Sequence, residues 1–130
     1  MALVSSTGFA HVRLTVTDIR RSKDFYDRVF GWQAAIDNSA QADDPGVRQS
    51  QEQYYGGVVY QTPEGTLFGL RPVGTEAFDP DVTGLDHVSF AVESRTALEA
   101  AAAELDNAGI AILSFQDPDN INVELTAPLR

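Results

Sequence analysis

The stretch GFAHVRLTVT at residues 8–17 has a close counterpart in GLDHVSFAVE at residues 84–93. Both follow the pattern Gly-x-x-His-Val-x-apolar-x-Val, and the two histidines of the chain, His11 and His87, occupy the same position in the two copies. Apolar and polar residues alternate in each copy, which is the period of a strand with one buried face. The sequence therefore predicts two equivalent β-strands, each with a histidine on the face opposite its apolar residues.

A helix is predicted after each of these strands, because apolar residues then recur at intervals of three and four. The first helix has Asp18 as a plausible N-cap and ends at Gly31, and the second has Ser94 and Gly109 in the same roles. Aspartate and serine favour helix starts, and glycine favours helix ends. Both copies therefore continue as strand and helix.

The repeat extends into a hairpin, since QTPEGTLFGL at residues 61–70 aligns without gaps on QDPDNINVEL at residues 116–125. Each segment reads as strand, tight turn and strand, with proline, glycine or asparagine in the turn. Repetition on this scale predicts an α+β fold of two βαβββ modules. In the second copy the alternation places Glu124 on the face that carries His87.

We expect a single domain over residues 1–130, with module one at 8–72, a linker at 73–83 and module two at 84–128. The second module is shortened: His11 and Gly69 are 58 positions apart, whereas His87 and Glu124 are 37 apart. Either a strand and its loop have been lost, or a loop is missing from the sequence. The second explanation is favoured, because loss of an interior strand would leave unpaired backbone at the new edges.

The composition excludes several kinds of partner. Nine basic and nineteen acidic residues give a net charge of −10, which repels nucleic acids and anionic membranes. The chain has no cysteine, so thiolate chemistry and disulfides are excluded. Residues 1–10 lack the features of a signal peptide, and no stretch has the length of a membrane span. We expect a cytoplasmic protein that acts on a small molecule.

Three side chains are candidates for a metal site. His11 and His87 lie on equivalent strands, and Glu124 on the last strand is expected to join them. Two imidazoles and one carboxylate form a set suited to Fe(II), Mn(II) or another divalent ion, with coordination positions left for substrate. The open alternative is that the histidines only form hydrogen bonds and that Glu124 is a solvated carboxylate.

Candidate substrate-binding residues are Arg13, Trp32 and Tyr60. Arg13 shares the face of His11 and could pair with an anionic substrate group, although a surface salt bridge would explain it equally well. Trp32, Tyr54, Tyr55 and Tyr60 could line an aromatic pocket, or they could belong to the core.

The chain resembles the vicinal oxygen chelate superfamily, which includes glyoxalase I, extradiol dioxygenases, and fosfomycin- and bleomycin-resistance proteins. The residues that carry the resemblance are HVRLTVTDIRRSKDFYDRVFGW from position 11, GLDHVSFAV from position 84 and DPDNINVELTAP from position 117. The resemblance implies a curved, half-open barrel of βαβββ modules, a divalent metal ion such as Fe, Mn, Ni or Zn, and a homodimer.

The metal positions implied by the resemblance fall on His11, Gly69, His87 and Glu124. Glycine at position 69 offers no ligand, so the remaining set is similar to the two-histidine, one-carboxylate triad of extradiol dioxygenases. A metal-dependent lyase, isomerase or dioxygenase is the leading hypothesis. The alternatives are a binding protein that sequesters an antibiotic or metabolite, as bleomycin-resistance proteins do, and a regulatory or structural dimer without chemistry.

Overall fold

The computed structural model describes residues 2–110 and 114–128, which form two α-helices and seven β-strands. The predicted α+β class is therefore confirmed. The chain divides into two compact units, Met1–Thr75 and Glu76–Arg130, called the first and second unit below. Their boundary falls inside the segment predicted as a linker at 73–83. Whether the whole chain behaves as one domain stays a prediction.

The first unit contains one helix and a mixed four-stranded sheet. Its elements are β1 (His11–Thr15), α1 (Ile19–Val29), β2 (Gln33–Asp37), β3 (Val58–Gln61) and β4 (Leu67–Arg71). The strand order is β1-β4-β3-β2, with β1 parallel to β4 and the other pairs antiparallel. Three single-turn 3₁₀ helices lie between β2 and β3. The parallel pairing of β1 and β4 places the strand that begins with His11 beside the second strand of the hairpin.

Helix α1 begins and ends where the sequence predicts. The Asp18 carboxylate accepts hydrogen bonds from the backbone N–H groups of Arg20 and Arg21, which have no partner inside the helix. Gly31 follows the helix with φ of +64°, a left-handed conformation that suits glycine. The helix thus depends on local signals at both ends.

An aromatic cluster joins α1 to the sheet. Phe68 of β4 is 1% exposed and its ring centroid lies 5.1 Å from that of Tyr26 on the helix. The Phe68 ring also meets Trp32 edge-on at 5.8 Å, and Trp32 stacks on Phe30 at 4.3 Å. Such pairs add to the free energy gained by burying the rings. The core of the first unit is therefore on the face opposite His11.

The second unit repeats this plan with three strands. Its elements are β5 (Val88–Ala91), α2 (Arg95–Asn107), β6 (Ser114–Gln116) and β7 (Asn122–Thr126). The strand order is β5-β7-β6, with β5 parallel and β6 antiparallel to β7. Ser94 caps α2 by accepting a hydrogen bond from the N–H of Ala97, as predicted. Four buried side chains form its core: Leu105, Phe115, Ile121 and Val123.

The predicted shortening of the second module is confirmed, but the argument that a loop is missing from the sequence fails. Among the described residues, β5, β7 and β6 correspond in strand order to β1, β4 and β3, so β2 is the strand without a counterpart. Strand β2 lies at an edge of its sheet. Its loss only moves the edge inward by one strand, so no interior pairing is broken.

Neither α-helix in the described parts of the chain has both the length and the apolar character needed to cross a membrane.

Candidate functional site

The three predicted metal ligands are divided between the two units. His11 is the first residue of β1 in the first unit, and its side chain is exposed. His87 comes immediately before β5, and Glu124 lies in β7, so both belong to the second unit. The geometry of the last two can be described within one unit.

His87 and Glu124 approach each other because β5 and β7 are parallel and in register. Ser89 pairs with Glu124, and alternation places His87 on the same face as Ser89. His87 Nε2 lies 3.8 Å from Glu124 Oε1, with about two fifths of each side chain exposed to solvent. One imidazole nitrogen and one carboxylate oxygen thus converge at the surface of the second sheet.

Asp86 orients the imidazole ring. The carboxylate oxygen Oδ1 of Asp86 lies 2.7 Å from His87 Nδ1, and an ionised carboxylate can only accept a hydrogen bond. Nδ1 therefore carries the hydrogen, and in the neutral ring Nε2 keeps a free lone pair. Asn122 supports the segment by donating from Nδ2 to the Asp86 carbonyl at 3.3 Å. This is the arrangement in which histidine acts as a metal ligand through Nε2.

The same contacts raise the pKa of His87 above its ordinary value. The hydrogen bond to Asp86 is the main cause, and the negative charge of Glu124 adds to it. A raised pKa in the folded state means that protonated His87 stabilises the fold. This contribution to stability is present at pH values below the ordinary histidine pKa. It is lost as the pH rises through the pKa that His87 has in the folded protein.

We expect Asp86→Asn to lower the pKa of His87, because the substitution removes both a charged hydrogen-bond acceptor and a nearby negative charge. The measurement is an NMR titration of the imidazole protons in metal-free protein. The chain has two histidines, so His87→Ala assigns the resonance. An unchanged pKa in Asp86→Asn would show that the Asp86 contact is not formed in solution.

The donor atoms of His87 and Glu124 are of types that divalent ions bind, and the distance between them is close to the distance between two ligands of one ion. Two ligand atoms about 2.1 Å from one ion and 90 to 110° apart are roughly 3.0 to 3.4 Å from each other. The separation of 3.8 Å needs only a small side-chain adjustment to reach that range. Within residues 2–110 and 114–128, however, no three histidine, aspartate or glutamate side chains are grouped so that they could hold one ion. The second unit therefore supplies a pair of donors.

Arg13 lies on the exposed face of β1, as predicted, and its side chain extends across β4. Arg13 is the register partner of Gly69 in the parallel pair. A Cβ atom at position 69 would lie 3.1 Å from Arg13 Cγ and 3.3 Å from Cδ. The position where the resemblance implies a metal ligand is thus covered by an arginine stem.

Trp32 and Tyr60 lie on the other side of the first sheet. Tyr60 of β3 pairs with Phe68 of β4, which places it on the helix face, and it is fully buried. Its hydroxyl donates to Asp27 Oδ1 at 2.8 Å, while burial and this bond raise its pKa. Trp32 is half-buried in the aromatic cluster. These contacts give both residues a packing role, and a contact of either with substrate stays a prediction.

Arg71 is a residue of the exposed sheet face that sequence reasoning missed. It lies two positions beyond Gly69 in β4 and therefore points to the side of Arg13. Its guanidinium carbon is 4.1 Å from the ring centroid of Tyr55, and that of Arg13 is 5.6 Å from the same centroid. The alternation from Gly69 would have revealed the face of Arg71, but nothing in the sequence signals the position of Tyr55.

Comparison with known proteins identifies the family. The model of the Glyoxalase/Bleomycin resistance protein/Dioxygenase superfamily matches residues 8–125. A glyoxylase/bleomycin resistance protein/dioxygenase domain from Frankia sp. EAN1pec is 30% identical, with a TM-score of 0.72 over 95% of this chain and 93% of that one. No curated protein matches.

Two more distant structures share the fold. A glyoxalase/dioxygenase from Nostoc punctiforme is 19% identical, with a TM-score of 0.68 over 100% of this chain and 97% of that one. A mutant of the fosfomycin resistance protein FosX from Listeria monocytogenes, solved with Mn(II) and 1S,2S-dihydroxypropylphosphonic acid, is 15% identical, with a TM-score of 0.68 over 95% of this chain and 93% of that one. The chain therefore belongs to the Glyoxalase/Bleomycin resistance protein/Dioxygenase superfamily, and its fold is glyoxalase-like.

Proposed function

We propose that the protein is a metal-dependent enzyme that acts on a small oxygenated molecule, whose two neighbouring oxygens chelate a divalent ion. The observation that carries this proposal is the convergence of His87 Nε2 and Glu124 Oε1, with Asp86 holding the histidine in the tautomer that can bind a metal. His11 is the third proposed ligand. The assignment of His11 as a ligand rests on the sequence repeat alone.

The donor set limits the metal and the chemistry. Nitrogen and carboxylate ligands without thiolates suit Fe(II), Mn(II), Ni(II) or Zn(II), and two imidazoles with one carboxylate leave coordination positions for a substrate. When bound, such an ion polarises oxygen ligands and stabilises negative charge that develops on them. FosX, which shares the fold, was solved with Mn(II) and a molecule that carries two neighbouring hydroxyl groups. That structure supports the type of ligand proposed here.

Metal titration of the full-length protein tests this proposal. After removal of metal with a chelator, we expect one Mn(II) per chain to bind in isothermal titration calorimetry at pH 7.5 to 8, where imidazoles are largely neutral. Metal content measured after dialysis checks the stoichiometry. The titration is repeated with Fe(II), Ni(II) and Zn(II), and absence of binding of all four ions would contradict the proposal.

A second function is favoured by one observation, the arginine stem over Gly69. The alternative is a binding protein that holds a small molecule without metal, the sequestering role that the resemblance to bleomycin-resistance proteins implies. The distinction is made by ligand binding to metal-free protein. The binding function replaces the enzymatic one if two results are found together. Small ligands bind with equal affinity in the presence and absence of metal ions, and metal ions bind neither to the wild type nor to His87 variants.

A further inference from the structure

The exposed face of the first sheet carries two arginines without acidic partners. In the chain of net charge −10, other arginines form ion pairs, such as Arg20 with Asp43 at 2.9 Å and Arg48 with Asp43 at 2.7 Å. Among residues 2–75, no carboxylate oxygen lies within 4.0 Å of the Arg13 or Arg71 guanidinium. Two cations thus share one surface without a carboxylate of the first unit at ion-pair distance.

Within the described part of the chain, one N–H donor of the Arg71 guanidinium has no hydrogen-bond acceptor. Its Nε atom is shielded from solvent and has no hydrogen-bond partner among the described residues. A guanidinium has five N–H donors in a planar fork, and a buried donor without an acceptor is unfavourable. The tyrosine ring offers a π face to this cation but no acceptor for an in-plane N–H. The terminal nitrogens of the same guanidinium are not among the buried atoms, so they are the donors of Arg71 that an acceptor from outside the chain can reach.

Gly69 directs Arg13 toward the same place. Because Gly69 has no side chain, the Arg13 stem can cross β4 with Cγ only 3.1 Å from where a Cβ would stand. The crossing brings the Arg13 guanidinium to within 5.6 Å of the Tyr55 ring, which Arg71 also faces. The two guanidiniums therefore lie around one aromatic ring.

Tyr55 is held in place by a strained, tightly packed turn. Tyr54 and Tyr55 have φ of +49° and +57°, which residues other than glycine rarely adopt. The turn is pressed against β4, since a Cβ on Gly57 would lie 2.0 Å from the Leu70 carbonyl oxygen. Strain of this kind persists where the surrounding packing enforces it, and it often accompanies binding sites. The ring is thus a fixed support for both cations.

We propose that Arg13, Arg71 and Tyr55 form a binding site for the oxyanion group of a small organic molecule, either a carboxylate or a phosphonate. A guanidinium binds such groups through parallel N–H···O bonds, and a bound anion offsets the positive charge that the two arginines place around one ring. The net charge of −10 disfavours polyanions such as nucleic acid at this site. That the bound molecule is the substrate rests on the proposed function, whereas binding of the anion does not.

The test measures the binding of two probes, acetate and methylphosphonate, to the full-length, metal-free protein. Binding is measured by NMR titration at low salt. We expect at least one probe to bind and neutral acetamide not to bind. Arg13→Met and Arg71→Met should each weaken binding at least about 10-fold, since a hydrogen bond to a charged group contributes enough for that change. The probe that binds more tightly identifies the oxyanion.

The control is Arg95→Met, which removes an exposed arginine of α2 that pairs with Glu99 at 3.3 Å. It should leave anion binding unchanged. No binding of either probe, or equal affinity in wild type, Arg13→Met and Arg71→Met, would overturn this inference. Mn(II) titration of the wild type separates this inference from the proposed function, because a wild type that binds Mn(II) but neither probe contradicts only the arginine site.

Discussion

Replacing His87 with alanine is expected to lower the affinity for Mn(II) by at least about 100-fold. Loss of a partner that merely orients a ligand already costs 10- to 100-fold in metal affinity, and His87 is itself a proposed ligand. Glu124→Gln should have a comparable effect, because the amide removes the negative charge that faces the Nε2 atom at 3.8 Å. Calorimetric titration at pH 7.5 to 8 measures both changes.

The control for Glu124→Gln is Glu99→Gln, the same change at an exposed glutamate of α2. It should bind Mn(II) like wild type. Asp86→Asn should fall between the control and His87→Ala, since it disturbs only the orientation of the ring. If His87→Ala binds Mn(II) as tightly as wild type, the convergence of His87 and Glu124 has no role in metal binding and the enzymatic proposal fails.

His11→Ala tests the part of the metal site that rests on the sequence repeat. If it lowers Mn(II) affinity as strongly as His87→Ala, the chain binds the ion through both histidines. If it binds like wild type, the prediction for His11 is wrong, while the pair of donors in the second unit is retained. The two histidine variants therefore separate the sequence prediction from the observed geometry.

The elements of the fold were predictable because their signals are local. The Asp18 and Ser94 caps and the positive φ at Gly31 and Gly109 each depend on neighbouring residues, and all four are observed. Alternation predicted the buried and exposed faces of β1 for the same reason. Alternation does not contain the strand order across a sheet, so it could not show that β2, the strand without a counterpart among the described strands of the second unit, lies at an edge.

The candidate site was only partly predictable. The repeat indicated that His87 and Glu124 share a face, and the parallel register of β5 and β7 brings them together. Tyr60 was grouped with pocket residues because aromatic composition does not tell which sheet face a strand presents. The cluster around Tyr55 was missed because it depends on the left-handed turn before β3 and on the crossing of Arg13 over Gly69.

Phe68→Ala is expected to lower the free energy of unfolding of the first unit by about 3 to 5 kcal/mol, the usual cost of removing a buried phenylalanine ring. Phe68 lies at the centre of the aromatic cluster, with ring contacts to Tyr26 and Trp32, and the cavity would open between α1 and the sheet. Trp32 is the only tryptophan, so its fluorescence during denaturant unfolding follows the first unit.

The matched control is Phe9→Ala, the same substitution at a residue that is 91% exposed just before β1. Exposed positions usually change the free energy of unfolding by no more than about 0.5 kcal/mol. Phe68→Leu should be intermediate, because leucine fills part of the space. Equal unfolding midpoints for Phe68→Ala and Phe9→Ala would mean that the aromatic cluster does not hold α1 against the sheet.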